Sequence, residues 1–370
     1  MRKGNAPMRK TGPSAPSDHG KGFSYASTLI GLALTLFLAF GCQAPARTPT
    51  LSAQPTPTPT LASTPAPTPT PTVAATPSPA ALFPRTVVDD EGTTLEIDAP
   101  PTDIVSLTPA NTEIVFALGA GDRLRGGTDF DDYPPEAVDL PDVATFTGVL
   151  IEKVVDIQPD LVLAGGNNFT PAGDIDRLRD LGIPVLVVYA ASVDQVLDDI
   201  NLIGAAIGAD AEADEITSGM RQRIDEVTAA LAGVDRPRVF YELGIEPEIF
   251  GPAPGSFVAD MVSLAGGEPI TTTDPAVFSI SLERLVTEDP EVIILGDAAY
   301  GVCPQDLATR PGWVAMTAVR DGRVRPVDDI VVTRPAPRLA EGLAALALAI
   351  HPDTDIAPPV GVSTHCPSPD

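Results

Sequence analysis

The side chains best suited to catalysis are scarce in this sequence. Histidine, the commonest general base and a frequent metal ligand, occurs only at positions 19, 351 and 365 of the 370-residue chain. The sequence has no His-x-x-His or Cys-x-x-Cys pair for a zinc site, no Gly-x-Ser-x-Gly nucleophile elbow and no Walker phosphate loop. These absences predict a binding protein that has no catalytic residues, no metal site of its own and no cofactor.

The three cysteines divide into two groups. Cys42 follows a basic segment and an uncharged, mostly apolar run over residues 23–40, as in an export signal. The sequence Leu38-Ala-Phe-Gly-Cys42 resembles the bacterial lipobox, so residues 1–41 are predicted to be a lipoprotein signal peptide and Cys42 the lipidated residue. An uncleaved transmembrane anchor is the alternative, since such a run can just span a bilayer. Cys303 and Cys366 remain, and outside the cytoplasm they could form a disulfide.

Residues 42–84 are predicted to be a disordered spacer, because Pro-Thr repeats such as Pro55-Thr-Pro-Thr-Pro59 cannot build a core. Proline-rich chain favours extended polyproline II at ~3.1 Å per residue, so this segment could hold a domain on the order of 100 Å from a membrane. A glycosylated stalk is the alternative interpretation. The formal net charge of -27 argues against a nucleic-acid partner, which would require clustered Lys and Arg.

One stretch of the sequence occurs twice. It runs from Glu152 to Gly165 and, 131 positions later, from Glu283 to Gly296. In each copy a Glu opens a short helical run, a Pro follows seven residues later, and an acidic residue precedes an apolar run closed by Gly. Proline ends a helix at the residue before it, and an uninterrupted apolar run suits a strand covered on both faces. The two copies therefore predict two similar α/β lobes.

Further elements surround each copy. The sequence predicts a hairpin over 86–97, a strand over 104–107 with a helix over 113–118, and, in the second half, a strand over 238–243 with a helix over 257–264. Two amphipathic helices are predicted between the halves, over 192–207 and 211–231. The second is either a stiff connector between lobes or an ordinary packing helix. A strand over 325–328, a loop over 329–338 and a helix over 339–350 complete the prediction.

These elements define the expected domain organisation. After the signal peptide and spacer, the chain is divided into an N-terminal lobe at 85–191, connecting helices at 192–233, a C-terminal lobe at 234–352 and a loose tail at 353–370.

The folded region resembles the periplasmic binding proteins for vitamin B12 and ferric chelates, which serve ABC importers. The resemblance covers residues 86–351, and it rests on the paired stretches and on four further segments: Ile104–Glu113, Asp132–Pro135, Gly255–Phe257 and Arg334–Arg338. It implies an α/β fold of two Rossmann-like lobes, joined by a single long connecting helix, with a ligand cleft between them. It also implies a monomer that docks onto the subunits of a membrane permease.

Glu152 and Glu283 match the residues with which this family contacts arginines of the permease. The alternative is structural, because a Glu in the first turn of a helix is stabilised by the helix dipole by ~0.3–1 kcal/mol. The resemblance favours the docking role, since both lobes carry the Glu at the same register.

The resemblance, together with the loops that follow the strands, indicates a ligand site. Tyr133 matches a pocket tyrosine of the B12 binders, Asp329 approximately matches a pocket aspartate, and Phe146 stands where those proteins have Trp. The candidate ligand-binding residues are Tyr133, Phe146, Asn168, Phe169, Asp329 and Arg334. Core packing is the alternative for Phe146 and Phe169, and loop bracing is the alternative for Arg334 and Arg338.

The sequence therefore predicts an extracytoplasmic, lipid-anchored protein that captures a metal chelate for an ABC importer. A corrinoid is placed first among the ligands, with a ferric siderophore or haem as the alternative. An enzyme on a similar scaffold, such as a chelatase, and a structural or adhesive lipoprotein are the rival classes.

Overall fold

The computed structural model describes residues 82–166, 169–362 and 366, all of which belong to one compact unit. The predicted signal peptide, Cys42 and Asn168 lie outside the described residues, as does the predicted spacer except for its last three positions. Along the part that is described, no helix is both long and apolar enough to span a membrane.

Strands and helices alternate along the described chain. The strands are β1 Arg85–Val88, β2 Thr94–Ile97, β3 Ile104–Ser106, β4 Leu124–Thr128, β5 Asp142–Thr145, β6 Gly148–Val149, β7 Leu161–Gly165, β8 Val185–Val188, β9 Arg238–Glu242, β10 Glu268–Pro269, β11 Val292–Leu295 and β12 Val324–Pro326. The α-helices are α1 Pro109–Ala117, α2 Ile151–Ile157, α3 Ala172–Asp180, α4 Val193–Ile207, α5 Asp210–Ala230, α6 Phe257–Leu264, α7 Leu282–Glu288, α8 Pro304–Leu307, α9 Thr317–Arg320, α10 Asp329–Thr333 and α11 Leu339–Ile350.

Two mostly parallel sheets confirm the predicted α/β lobes. The N-terminal lobe has the strand order β6-β5-β4-β3-β7-β8, in which only the β5–β6 pair is antiparallel. The C-terminal lobe has the order β10-β9-β11-β12, and every pair is parallel. The apolar runs of the repeat form β7 and β11, which are interior strands and buried along their whole length. Their sequences lack a polar face because helices cover both sides of each sheet.

The repeat also has the same helix ending in both lobes. Helices α2 and α7 contain seven residues each, and each ends on a left-handed residue, Gln158 with φ 55° and Asp289 with φ 45°. These are the only non-glycine residues with positive φ along the described chain. Because Pro159 and Pro290 follow, the chain cannot continue as a helix and must turn sharply into the strand.

The acidic residue after each of these prolines joins neighbouring strands. The Asp160 carboxylate accepts the backbone N–H groups of Thr102 and Asp103 at 2.9 and 3.1 Å, just before β3. The Glu291 carboxylate accepts the N–H of Arg238, the first residue of β9, at 3.0 Å. Hydrogen bonds from the Thr102 backbone hold the pKa of Asp160 below its ordinary value. In both copies of the repeat, the acidic residue after the proline thus hydrogen-bonds to the backbone at the start of the neighbouring strand.

The chain passes from the first sheet to the second through α4 and α5, at the positions predicted for two helices. Ser192 caps α4, because its Oγ accepts the N–H of Gln195 at 3.3 Å, and Gly208 ends the helix with φ 76°. Helix α5 has 21 residues, about 30 Å at 1.5 Å per residue, and packs against both α4 and α11. That a single helix alone connects the lobes stays a prediction.

Buried apolar side chains form one large cluster that extends through both lobes. It includes residues of β3 and β7, of α4 and α5 between the sheets, and of β11 and α11. Smaller clusters cover the opposite face of each sheet, one around Leu178 and the other around Trp313. Because the two lobes share apolar contacts through their connecting helices, pulling them apart would expose apolar surface.

Two details of the C-terminal region differ from the predictions. The segment expected to be a loop over 329–338 contains the helix α10, because Val331 and Val332 are buried and draw the backbone against α11. The tail expected to be loose is instead attached where it is described. Ile356 is buried, the guanidinium of Arg223 donates to the Ala357 carbonyl at 2.7 Å, and Cys366 forms a disulfide with Cys303.

Candidate functional site

Exposed aromatic side chains are concentrated at one edge of the two sheets. Six aromatic residues are well exposed in the described part of the chain, and each lies in a loop that leaves the carboxyl end of a strand. They are Phe130 and Tyr133 after β4, Phe146 after β5, Phe169 after β7, Phe278 after β10 and Tyr300 after β11. Exposed aromatic surface is costly in water, and in open α/β sheets ligands bind outside the carboxyl ends of the strands. This edge is therefore the candidate site.

The aromatic residues of the N-terminal lobe remain accessible. Phe146 is 89% exposed and Phe169 is 75% exposed, so neither packs in the core, as the alternative interpretation required. The rings of Phe130 and Phe146 meet edge to face with centroids 6.3 Å apart, and Phe169 lies 6.3 Å from Tyr189. Such ring contacts are favourable, and they leave most of the aromatic surface accessible to a ligand.

Tyr133 is held by a residue from the other lobe. The guanidinium carbon of Arg338, which follows α10, lies 3.7 Å from the centroid of the Tyr133 ring. The tyrosine is still 40% exposed. A guanidinium over an aromatic face is attractive, and here it covers one face of the ring.

Glu113 of α1 is the anionic partner of that guanidinium. Its side chain is only 2% exposed, and its two carboxylate oxygens accept from Nε and Nη2 of Arg338 at 3.0 and 2.8 Å. Burial lowers the pKa of Arg338, but the hydrogen bonds and charge of Glu113 raise it above its ordinary value overall. A buried carboxylate needs such a partner, because an uncompensated charge in the interior is strongly destabilising.

Arg334 extends the same network. Its Nη1 lies 2.6 Å from Oδ1 of Asp132 and 3.5 Å from Oε2 of Glu113. Arg334 and Arg338 follow the last strand of the second sheet, whereas Glu113, Asp132 and Tyr133 belong to the first lobe. These contacts bring the carboxyl edges of the two sheets together, and Arg334 acts there as a brace between the lobes.

Asp329 lies on the same edge of the C-terminal lobe. Its Oδ1 accepts the hydroxyl of the buried Tyr241 at 2.7 Å. Burial raises the pKa of Asp329, although the hydrogen bond from Tyr241 opposes this, and burial also raises the pKa of Tyr241 well above its ordinary value. The predicted pocket aspartate is thus fixed in orientation by a residue that precedes it by 88 positions.

The glycine that closes each copy of the repeat makes room for a site residue. A Cβ on Gly165 would lie 2.9 Å from Cβ of Phe169 and 2.7 Å from Cγ2 of Thr108. A Cβ on Gly296 would lie 2.5 Å from Cε1 of Tyr241 and 2.9 Å from Oδ1 of Asp329. Both distances on Gly296 are shorter than normal contacts, so only glycine lets this strand end approach the Tyr241–Asp329 pair.

A second buried acidic group lies beside Asp329. Glu242, the last residue of β9, is fully buried, and its Oε2 accepts from Nη1 of Arg310 at 2.7 Å. Burial raises its pKa to about 7, against the opposing effect of Arg310. The other oxygen, Oε1, and Oδ1 of Asp297 have no hydrogen-bond partner among the residues described. Burial raises the pKa of Asp297 as well.

Sequence reasoning did not identify Glu113, Tyr241, Glu242 or Arg310. One local signal was available, since Glu113 is the only charged residue of α1, and a buried Glu requires a cation. The identity of that cation could not be predicted from the sequence, because Arg338 lies 225 positions from Glu113.

The two predicted docking residues occupy equivalent positions in the two lobes. Glu152 and Glu283 are each the second residue of their helices, α2 and α7, and both are exposed. Within the described chain neither carboxylate takes part in a hydrogen bond or an ion pair. Interaction with the helix dipole is their remaining structural role.

Other candidate sites are weaker. One open depression of about 550 Å³ lies along α5 between exposed side chains such as Arg221 and Glu226, and another of about 460 Å³ lies near Arg236 and His351. Neither combines aromatic surface with polar anchors. The described residues contain no group of three or more His, Cys, Asp or Glu side chains that could hold a metal ion. The Cys303–Cys366 disulfide, with Cα atoms 5.8 Å apart, fastens the tail.

The chain is similar to known binding proteins. A sequence model of the family described as "Periplasmic binding protein" matches residues 104–331. The chain is 35% identical over 278 residues to the uncharacterized ABC transporter substrate-binding lipoprotein YvrC of Bacillus subtilis (strain 168), covering 74% of this chain and 87% of that one. It is 32% identical over 286 residues to a cobalamin-binding protein of Halobacterium salinarum, covering 74% of this chain and 76% of the relative.

A solved structure agrees with these matches. The fold superposes with a TM-score of 0.59 on a possible iron-binding (periplasmic solute-binding) protein from Staphylococcus epidermidis ATCC 12228, at 26% sequence identity. The match covers 68% of this chain and 99% of that one.

Proposed function

The chain belongs to the periplasmic binding protein family, and on that premise we propose that it binds a metal chelate at the carboxyl edges of its two sheets and delivers it to an ABC importer. The observation that carries this proposal is the placement of the exposed aromatic residues. All six lie at the carboxyl ends of the strands, although they belong to separate loops that follow three strands of the first sheet and two of the second. A planar chelate offers the flat apolar surface that such rings bind.

A corrinoid is the ligand that the residues favour. Tyr133 and Asp329, which match pocket residues of the B12 binders in sequence, both lie at this edge and are held in fixed orientations by Arg338 and Tyr241. The similarity to a cobalamin-binding protein supports the same ligand. Phe146 and Phe169 supply accessible aromatic surface from the loops after β5 and β7.

A ferric siderophore or haem is the second candidate. The similarity to a possible iron-binding protein supports it, because a ferric chelate would use the same aromatic edge. Catalysis finds less support than binding, since the polar groups of the edge are committed to one another in the Glu113–Arg338, Asp329–Tyr241 and Glu242–Arg310 pairs.

Glu152 and Glu283 are proposed to dock onto the permease. Their support is the matched position in two lobes and the absence of any other contact among the described residues. Exposed charges at matched positions steer an encounter and fix its register. Cys42 is proposed to carry the lipid anchor, with residues 42–84 as the spacer, which would place the protein outside the cytoplasm at the membrane surface as a monomer. The similarity to a substrate-binding lipoprotein supports this location.

Titration of the purified protein tests the ligand assignment. Cobalamin, haem and ferric siderophores would each be added while the absorbance spectrum and the heat of binding are recorded. We expect saturable binding of one chelate per chain, tightest for the corrinoid. Absence of saturable binding for every one of these chelates would refute the proposed function.

A further inference from the structure

The arginines at the carboxyl edge are all committed to carboxylates of the protein. Three of them lie there: Arg310, Arg334 and Arg338. Arg310 binds the buried Glu242, and Arg338 binds the buried Glu113 through two hydrogen bonds. Arg334 contacts Glu113 and Asp132. Withdrawing Arg310 or Arg338 to bind a ligand would take away the cation that is hydrogen-bonded to a buried carboxylate, which is strongly unfavourable.

Lysine does not supply a free cation either. Beyond residue 21 the chain has a single lysine, Lys153, which lies in α2 and donates to the Asp142 carbonyl at 2.8 Å. The N-termini of two helices at this edge, α1 and α6, are also engaged. Thr108 accepts the N–H of Asn111 at the start of α1, and Ser256 accepts that of Ala259 at the start of α6. A ligand anion therefore meets few unpaired donors here.

Carboxyl groups, in contrast, are abundant at the edge. Those at strand ends, or in the loops and helix starts that follow the strands, include Glu113, Asp129, Asp131, Asp132, Glu242, Asp297, Asp328 and Asp329. Burial raises the pKa of four of them, namely Asp131, Glu242, Asp297 and Asp329. Even with those four protonated, the remaining four carboxylates outnumber the three guanidinium groups. The edge thus has no excess of positive charge, whether or not these four groups carry a proton.

From this charge distribution we infer that the site selects chelates of zero or positive net charge and rejects anionic ones. The inference rests on the proposed function and narrows its ligand class. A macrocycle whose side chains are amides or esters can lie on the aromatic residues without electrostatic cost. A chelate with free carboxylates or a catecholate shell brings negative charge close to the carboxylates of the protein. These repel it, because every arginine at the edge is already paired with a carboxylate.

Matched ligand pairs test the inference. Each chelate class is offered to the full protein as a neutral and an anionic form: dicyanocobyrinic acid with free carboxylates against its complete methyl ester, haem against its dimethyl ester, and a ferric catecholate against a neutral ferric hydroxamate. For the chelate class that the protein binds, the neutral member should bind more than about tenfold tighter than the anionic member in low salt. Added salt should reduce this ratio of affinities. Equal or tighter binding of the anionic member overturns the inference and leaves the proposed function standing. Failure of all six compounds to bind overturns both.

A charge-removing variant tests the cause. Asp132→Asn removes a carboxylate and releases Arg334 from its 2.6 Å contact. It should tighten binding of the anionic member severalfold relative to the neutral member. Asp321→Asn is the matched control, because Asp321 is exposed and lies in the turn before β12, at the amino end of that strand. If Asp132→Asn left the ratio of neutral to anionic affinity unchanged, or if Asp321→Asn changed that ratio equally, local charge would not set the selectivity.

Discussion

Arg338 makes two contacts that ordinarily belong to different residues. Its guanidinium neutralises the buried Glu113, and the same planar group covers one face of Tyr133. A lysine could not replace it, because only the flat guanidinium forks onto a carboxylate and lies against a ring at once. One side chain of the C-terminal lobe therefore positions both a buried acid and a site aromatic of the other lobe.

Replacing Arg338 by Ala should destabilise the protein by about 3 kcal/mol, because the buried Glu113 would lose both guanidinium hydrogen bonds and keep only the 3.5 Å contact with Arg334. Urea unfolding measures the loss. Arg325→Ala is the control, since Arg325 donates only to the nearby carbonyls of Gly322 and Val324, and its loss should stay within about 0.5 kcal/mol. If both variants lose the same stability, the buried pair is not what Arg338 contributes.

Glu242 should make stability depend on pH. Burial raises its pKa to about 7 from 4.5, so the folded protein retains a proton that the unfolded chain releases. The stabilisation is fully present below pH 4.5 and is lost as pH rises through about 7, by roughly 3 kcal/mol at most. Glu242→Gln has no titrating group at this position. As pH rises from 4.5 through about 7, the free energy of unfolding of wild type should therefore fall relative to that of the variant.

Unfolding at a series of pH values measures that difference. Glu248→Gln serves as the control, because Glu248 is exposed in the loop after the same strand and should leave the wild-type pH profile unchanged. Parallel stability profiles for wild type and Glu242→Gln would contradict the assignment of a retained proton to Glu242.

Local sequence determines the position of most helices and strands. Caps and apolar periodicity set α6 and α11, whose observed bounds are those predicted from Ser256 and from the apolar run after Arg338. The error over 329–338 arose because α10 is five residues long and its helical form depends on burial against α11. The aromatic loops were predictable from strand ends, but the Arg–Glu network was not, because it joins residues that are distant in sequence.

The left-handed helix ends provide a prediction at this scale. Gln158→Gly should stabilise the protein by about 0.5–1 kcal/mol, because glycine adopts φ 55° without the strain of a Cβ. Asp289→Gly should not gain stability, since it loses hydrogen bonds from the N–H and hydroxyl of Thr317 at 2.7 and 2.8 Å. Thermal unfolding of both variants measures the contrast, and equal shifts in Tm would show that conformation alone governs both positions.

The whole molecule joins two similar lobes through a common apolar cluster and a bridge of ion pairs. This arrangement restrains the angle between the lobes at the edge where the aromatic residues lie. It also keeps Glu152 and Glu283, one on each lobe, at a defined separation. A partner with two matching cationic groups could therefore contact both residues at the same time.

Reversing both residues, as Glu152→Lys with Glu283→Lys, should abolish uptake of the chelate by cells while the purified protein keeps its ligand affinity. Uptake of labelled ligand and calorimetric titration separate the two effects. Glu136→Lys with Glu212→Lys is the matched control, because both of these acids are also exposed in first helical turns. Normal uptake with the docking pair reversed, or equal loss in the control, would refute a specific docking role.

The central claim is that a chelate binds on the aromatic edge, and calorimetric titration of Phe146→Ala with Phe169→Ala tests it most directly. Both side chains are exposed, so the variant should fold normally and bind the corrinoid about 10- to 100-fold more weakly than wild type, as expected for two lost aromatic contacts. Leu181→Ala, which removes an exposed apolar side chain after α3, should bind like wild type. Unchanged corrinoid affinity in the double aromatic variant would contradict the claim.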